Sequence, residues 1–245
     1  MMNKYAELDI LKDRLNEYRK NEHPKVTRAL EIEYTYESNK IEGNTLTLQE
    51  TALVIEKGLT VGGKTMTEHL EVINHSQAIE YIKGLAKSKN TISERDILQI
   101  HSLILQAIDK PNAGVYRKVP VIISGAKHMP PQPFLIAEKM EGLLLWYAKS
   151  KDVLHPVELS AEIHERLVTI HPFIDGNGRT SRLLMNLILL QNGYPIAILK
   201  GDDKSRLAYY NALEVAQTEN NKKVFIALIA KNIEDTIKRI LAVFE

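Results

Sequence analysis

The chain has 245 residues, enough for one large or two small domains with a true core. Its 32 Lys and Arg residues balance 31 Asp and Glu, and a net charge of +1 argues against a dedicated nucleic-acid surface. There is no cysteine, which excludes disulfides and thiolate zinc sites and leaves histidine and carboxylates as the metal ligands on offer.

The N-terminal stretch MMNKYAELDILKDRLNEYRK is charged throughout and lacks the apolar run a signal peptide needs. Leu8, Leu11, Leu15 and Tyr18 follow helical spacing, with a break at Glu22-His23-Pro24. A second helix is expected from about residue 25 to 42, ended by Gly43-Asn44. Thr47-Leu48-Gln49-Glu50 is a capping box for a third helix that stops near Gly58. Thr67 is the expected cap of a long helix through Val72, Ile73, Ala78, Ile79 and Ile82. Ser93-Glu94-Arg95-Asp96 opens the next helix, which carries Ile97, Ile100, Ile104 and Ile108.

Residues 119–123 (VPVII) break this rhythm, being short and β-branched, with a Ser124-Gly125 turn and then Pro130-Pro131 downstream. They predict a small β-hairpin inserted in a helical chain. Helices resume over 134–148, over 156–170, and after a glycine-rich loop as far as Gln191. Asn192-Gly193-Tyr194-Pro195 stops that last one with an αL residue and a proline. Two further helices fit 203–219 and 222 onward. No run of 18 apolar residues occurs, so the expectation is a soluble, cytoplasmic, all-α protein without a membrane partner.

The densest chemistry lies in residues 171–182, HPFIDGNGRTSR, directly before the apolar run LLMNLILL. Glycines at a helix start free backbone N–H groups that lack internal partners, which makes an anion site. Arg179 and Arg182, three residues apart, would share one helix face and point at the same anion. His171 titrates near neutrality without heavy tuning and suits a general base. Asp175 suits Mg²⁺, which takes one or two carboxylates plus phosphate oxygens and water; its bland alternative is a helix cap. Asn177 has a choice between a phosphate oxygen and a turn, and Gly176 and Gly178 between close phosphate approach and a tight turn. Phe173 reads as a core anchor.

The same residues carry a resemblance. HPFIDGNGRTSR matches, without gaps, the HPFx[DE]GNGRxxR motif of the Fic family, whose members transfer AMP from ATP to protein hydroxyls. About residues 97 to 225 resemble a whole Fic domain, including Gly114-Val115-Tyr116-Arg117 ahead of the hairpin and Tyr209-Tyr210-Asn211-Ala212-Leu213-Glu214 after the loop. The resemblance implies a Fic-type helical core with an inserted β-hairpin flap: residues 1–90 as an N-terminal helical extension, 91–230 as the catalytic core, 231–245 as the end of the last helix. It implies that His171 deprotonates the target's Ser, Thr or Tyr hydroxyl and that Asp175 holds Mg²⁺ (or Mn²⁺). Gly176, Asn177 and Gly178 would line the anion hole, Arg179 would meet the β-phosphate region and Arg182 the γ-phosphate. By the same comparison the flap, with Val121, Ile122 and Ile123, would add the target's backbone as a strand. Tyr210, Leu213 and Gln217, one helical face, would form part of the adenine pocket, against an even alternative of ordinary core.

Upstream, Ser38-Asn39-Lys40-Ile41-Glu42-Gly43 resembles the (S/T)xxxE(G/N) inhibitory motif that one class of Fic proteins carries on an N-terminal helix. A glutamate in the last turn of a helix faces the unfavourable end of the dipole and is easier to understand with a partner. The resemblance names Arg182 as that partner, so that Glu42 occupies the arginine meant for the γ-phosphate, and it allows Glu42 a second role in removing AMP. It also implies self-modification, and a homodimer is compatible with it. Rival readings are transfer of UMP, phosphocholine or phosphate, a non-catalytic ATP-binding regulatory module, and a metallohydrolase on His155, His164, Glu165 and His171. The spacing of those last four does not suit a paired helix site.

Overall fold

A computed structural model describes residues 4–19 and 24–244. Its helices are α1 (Ala6–Arg19), α2 (Pro24–Ile41), α3 (Leu48–Lys57), α4 (Met66–Ser88), α5 (Glu94–Leu105), α6 (Ile136–Ser150), α7 (Pro156–Ile170), α8 (Asn177–Gln191), α9 (Asp203–Thr218) and α10 (Lys223–Phe244), with a 3₁₀ turn at Pro133–Leu135 before α6. Among the described residues no helix is long and apolar enough to cross a membrane. Residues Glu22 and His23 of the expected break lie outside the described residues, and Pro24 opens α2, where its missing N–H costs nothing.

The fold is organised around α8. Leu183, Leu184, Met185, Leu187, Ile188 and Leu189 are all fully buried, as a helix apolar on every side requires. Leu183, Leu184, Leu187 and Ile188 join a core with α4, α5, α6 and α7, while Met185 and Leu189 join a second core with α1, α9 and α10. Asn186, polar in this apolar helix, uses both ends of its amide on Ala197: Nδ2 donates to the carbonyl (3.2 Å) and Oδ1 accepts from the N–H (2.8 Å). That closes what would be a costly buried polar group and ties residues 195–199 to the helix.

Three helix starts are capping boxes: Thr47 with Glu50, Thr65 with Glu68, and Ser93 with Asp96. The second corrects the expected cap at Thr67. Only Thr65 has an acid at the third helical position to complete the reciprocal pair; Thr67 is followed there by Leu70. The α5 helix stops at Leu105, short of Ile108, because Ala107 takes a left-handed conformation (φ 61°).

The hairpin expectation is also corrected, since no strand occurs among the described residues. The turn itself forms, with the Ala126 N–H donating to the Ile123 carbonyl at 3.2 Å. Gly125 is its second central residue and has φ 78°, a type II pattern, which splays flanking segments where a two-residue hairpin needs a primed turn. Pro120, Pro130 and Pro131 remove further ladder donors. The loop's base is instead gathered by Arg117, whose Nη1 donates to the Val119 carbonyl (2.9 Å) and Nη2 to that of Pro131 (2.6 Å).

Candidate active site

The site begins where α7 ends. His171 caps α7 in the left-handed conformation (φ 49°), which histidine tolerates better than branched residues, and turns the chain toward α8. Its Nδ1 faces the Val168 carbonyl at 3.3 Å. A carbonyl can only accept, so Nδ1 carries the hydrogen and Nε2 keeps its lone pair. Burial holds the imidazole pKa below its ordinary value; the Val168 carbonyl and Glu42 push it back up, and Arg117 adds to the lowering. The neutral imidazole, with its Nε2 lone pair unused, is the form that can accept a proton.

Gly176 (φ 75°) opens α8 without any side-chain cap, so the first-turn N–H groups are left to another acceptor. Asn177 does not aim its amide at that space: Oδ1 accepts from the Phe173 N–H (3.0 Å) and Nδ2 donates to the Phe173 carbonyl (2.9 Å). What it offers an anion is its backbone. Gly178 is small for a reason; a Cβ there would meet the Glu42 carboxylate oxygen at 2.3 Å and Arg182 Nη1 at 3.0 Å.

The α2 helix ends in a Schellman motif, with Asn44 N–H on the Asn39 carbonyl (3.1 Å), Gly43 N–H on that of Lys40 (3.0 Å), and Gly43 at φ 101°. Glu42 is thereby fixed as the capping residue, one turn after Ser38. Both reach Arg182, which is 1 % exposed. Its Nε donates to Ser38 Oγ (2.9 Å), and its Nη2 donates to the Ser38 carbonyl (2.9 Å) and to Glu42 Oε1 (2.6 Å). Nη1 has no hydrogen-bond partner among the described residues.

Arg179 and Arg182 do not point at one anion. Arg179 is equally buried, but donates through Nη1 to Glu71 on α4 (2.9 Å) and through Nη2 to Asp175 (3.1 Å). Three residues apart, the two guanidinium groups diverge by about 60° around the helix, and a different carboxylate draws each one. The second oxygen of Glu71 accepts from Asn44 Nδ2 (2.9 Å), which links this pair to the end of α2.

A cleft of about 400 Å³ is lined by Glu42, His171, Gly178, Arg182, Tyr210 and Gln217, with Leu213 and Ile123 on its walls. Tyr210 donates to the Ile41 carbonyl at 3.3 Å, and Gln217 to Thr169 Oγ1 at 3.1 Å. Leu213 also belongs to the core beneath. Gly176, Asn177, Arg179, Asp175, Ser38, Val121 and Ile122 do not line the cleft. Asp175 is two-thirds exposed, with Oδ1 accepting from the Gly176 N–H and Oδ2 from Arg179. One solvent-facing carboxylate suits a Mg²⁺ ion completed by substrate oxygens and water; among the described residues no three His, Asp or Glu converge on an all-protein site. His155, His164 and Glu165 have other partners, Asp9, Tyr209 and Lys222 respectively.

Glu71 and His101 had no sequence signal, and Arg117 was marked only as part of the Gly114–Arg117 stretch, with no role assigned. Glu71, Arg117 and His101 act across separations of 108, 54 and 74 residues. Burial lowers the His101 pKa to about 4, with its contact to the Asp175 carbonyl pushing the other way.

The Fic/DOC family model matches residues 91–189. A protein adenylyltransferase Fic from Nematostella vectensis is 39% identical over 213 residues, 86% of this chain and 49% of that one. Fic-1 (aa134 - 508) from C. elegans superposes with a TM-score of 0.85 at 33% identity, covering 96% of this chain and 69% of that one. A Fic domain containing signaling protein from Bacteroides thetaiotaomicron gives 0.79 at 29% identity, with 93% and 97% covered. The chain spans about half the length of the curated relatives it matches. In sequence, in fold and in its loop motif, the chain belongs to the Fic/DOC family.

Proposed function

We propose that the chain is a protein adenylyltransferase held at rest by its own Glu42. The observation that carries this reading is the shared cleft. It brings a neutral imidazole base, Gly178 of the uncapped first turn of α8 and a buried arginine with a free Nη1 to one place. His171 Nε2 takes the proton from a Ser, Thr or Tyr hydroxyl of the target; the oxygen attacks the α-phosphorus of ATP, an O–AMP bond forms, and the bond to pyrophosphate breaks. Backbone N–H groups of Asn177 and Gly178, together with Arg182, meet the charge on the triphosphate, the largest source of catalysis in such transfers; the Gly176 N–H joins them only if it leaves Asp175 Oδ1. When bound, Mg²⁺ (or Mn²⁺) at Asp175 would neutralise phosphate charge. Arg179 holds the Asp175 carboxylate in place and meets the β-phosphate region only if it leaves Glu71. Tyr210, Leu213 and Gln217 form the wall against which adenine stacks.

In the resting state Glu42 takes the guanidinium that the γ-phosphate needs. The similarity to the Nematostella vectensis protein adenylyltransferase Fic supports the reaction class. The irregular segment containing Val121, Ile122 and Ile123, whose N–H groups make no backbone hydrogen bond among the described residues, supports docking of a target backbone there. Ile122 is 80% exposed and Ile123 faces the cleft. Glu42 is close enough to His171's cleft to position water for the reverse removal of AMP. The chain itself, including a second copy, is one hydroxyl-bearing substrate.

The test is incorporation of label from α-labelled ATP into the chain and into lysate proteins, with mass spectrometry for one added adenylyl group. Glu42→Gly should raise incorporation by about tenfold or more, and His171→Ala in that background should abolish it. Equal label in parent and both variants would remove both the base and the brake.

A further inference from the structure

His101, on α5, is fully buried and lies outside the loop motif. Its Nδ1 accepts from the Gly114 N–H at 2.9 Å. An amide N–H can only donate, so the hydrogen of this ring sits on Nε2, which donates to the Asp175 carbonyl at 2.9 Å. The ring lies flat on Phe173, with centroids 3.6 Å apart and planes 5° from parallel. A Cβ on Gly176 would come within 3.3 Å of its edge, so the loop is laid directly against the imidazole.

The peptide between Asp175 and Gly176 is trans and planar, so its C=O and N–H point in opposite directions. His101 holds the carbonyl on one side. On the other, the Gly176 N–H donates to Asp175's own Oδ1 at 2.6 Å. Fixing the carbonyl therefore fixes the direction in which the Asp175 carboxylate is held, and with it the entry into α8. Arg117 performs the matching task at the loop's other end, where its Nε donates to the His171 carbonyl (2.8 Å).

We propose that His101 is a positioning residue for adenylyl transfer: through the Asp175–Gly176 peptide it aims the carboxylate that takes the divalent ion. The inference rests on the transferase reading above. It predicts an effect concentrated in metal-dependent steps, as for other groups that orient a ligating carboxylate from behind.

The comparison is between His101→Phe, which keeps a flat ring on Phe173 but has no donor, and His101→Gln, whose amide can still donate to the Asp175 carbonyl. Transfer is measured in the Glu42→Gly background. Binding of a fluorescent ATP analogue, with and without Mg²⁺, is measured in the Glu42→Gly/His171→Ala background, where no turnover occurs. Cooperative melting shows that each variant is folded. For His101→Phe, kcat and the apparent Mg²⁺ affinity should fall about 10- to 100-fold, while metal-free analogue binding changes less than about twofold; His101→Gln should recover most of the loss. Equal losses in both variants, or losses in metal-free binding as large as those with Mg²⁺, would make His101 a packing residue only. Failure of the Glu42→Gly chain itself to bind the analogue or transfer AMP would overturn the transferase reading and this inference together.

Discussion

At the scale of single residues, the proposed function makes the site a contest among anions for Arg182. A buried guanidinium that loses its carboxylate keeps only Ser38, so Glu42→Gly should destabilise the ligand-free chain by about 2 kcal/mol. ATP offers a replacement anion, and its melting shift should exceed that of the parent; a smaller shift would mean that the triphosphate does not reach Arg182. Gly178 tests the same contact from beneath. Gly178→Ala should cost about 1–3 kcal/mol in the parent, because its Cβ invades the Glu42 carboxylate, and at least about 1 kcal/mol less once Glu42 is glycine. Additive effects in denaturant melts would show that the two do not touch. The acid limb of kcat/KM should fall below the ordinary imidazole pKa of about 6.5, since burial favours neutral His171. It should be lower still in Glu42→Gly, because a negative charge that raised the pKa is gone. The loop and the Ser38/Glu42 pair were legible in the sequence because both are short patterns with fixed spacing. Glu71 and His101 were not, since neither differs locally from any helical acid or core histidine until α4 and α5 are packed against the loop.

At the scale of elements, legibility followed whether local chemistry was decisive. The capping boxes at Thr47 and Ser93 and the αL glycines at Gly58 and Gly193 marked helix ends well, because those residues satisfy orphan backbone groups within one turn of chain. The flap misled. β-branched residues around Pro120 suggest a strand, yet a strand needs a partner ladder, and a type II turn between prolines does not bring one into register. What shapes this element is Arg117, almost fully buried, whose guanidinium bridges three carbonyls from Val119, Pro131 and His171. A lysine keeps the charge but not the planar fork. Arg117→Lys should therefore speed amide exchange across residues 118–131 and lower transfer to protein targets, while ATP binding stays within about threefold because the α8 start is untouched. Unchanged exchange in that segment would mean that the flap is held by something other than Arg117.

At the scale of the whole molecule, the helix that carries Glu42 cannot leave. Tyr34 of α2 is packed into the core shared by α4, α5 and α8, and Ile41 into the core shared by α9 and α10. Polar ties reinforce both sides: Thr35 meets His75 on α4 (3.2 Å), and Glu37 accepts from the Gly201 N–H (2.7 Å). Stripping α2 away would expose these groups and break both cores, at a cost comparable to global unfolding. On the proposed autoinhibition, its relief is therefore confined to the last turn of α2 and the loop after it. There Asn44 is held by Glu68 and Glu71, and Thr45 by Glu68, a carboxylate kept down at about 2, chiefly by the Thr45 hydroxyl. Hydrogen exchange separates the two possibilities. In Glu42→Gly with ATP, amides 30–37 should exchange as slowly as in the parent, and any acceleration should be limited to residues 38–46. A rise of about tenfold or more across 30–37 would mean that the helix opens as a unit, and that the two cores it joins are not what keeps Glu42 at Arg182.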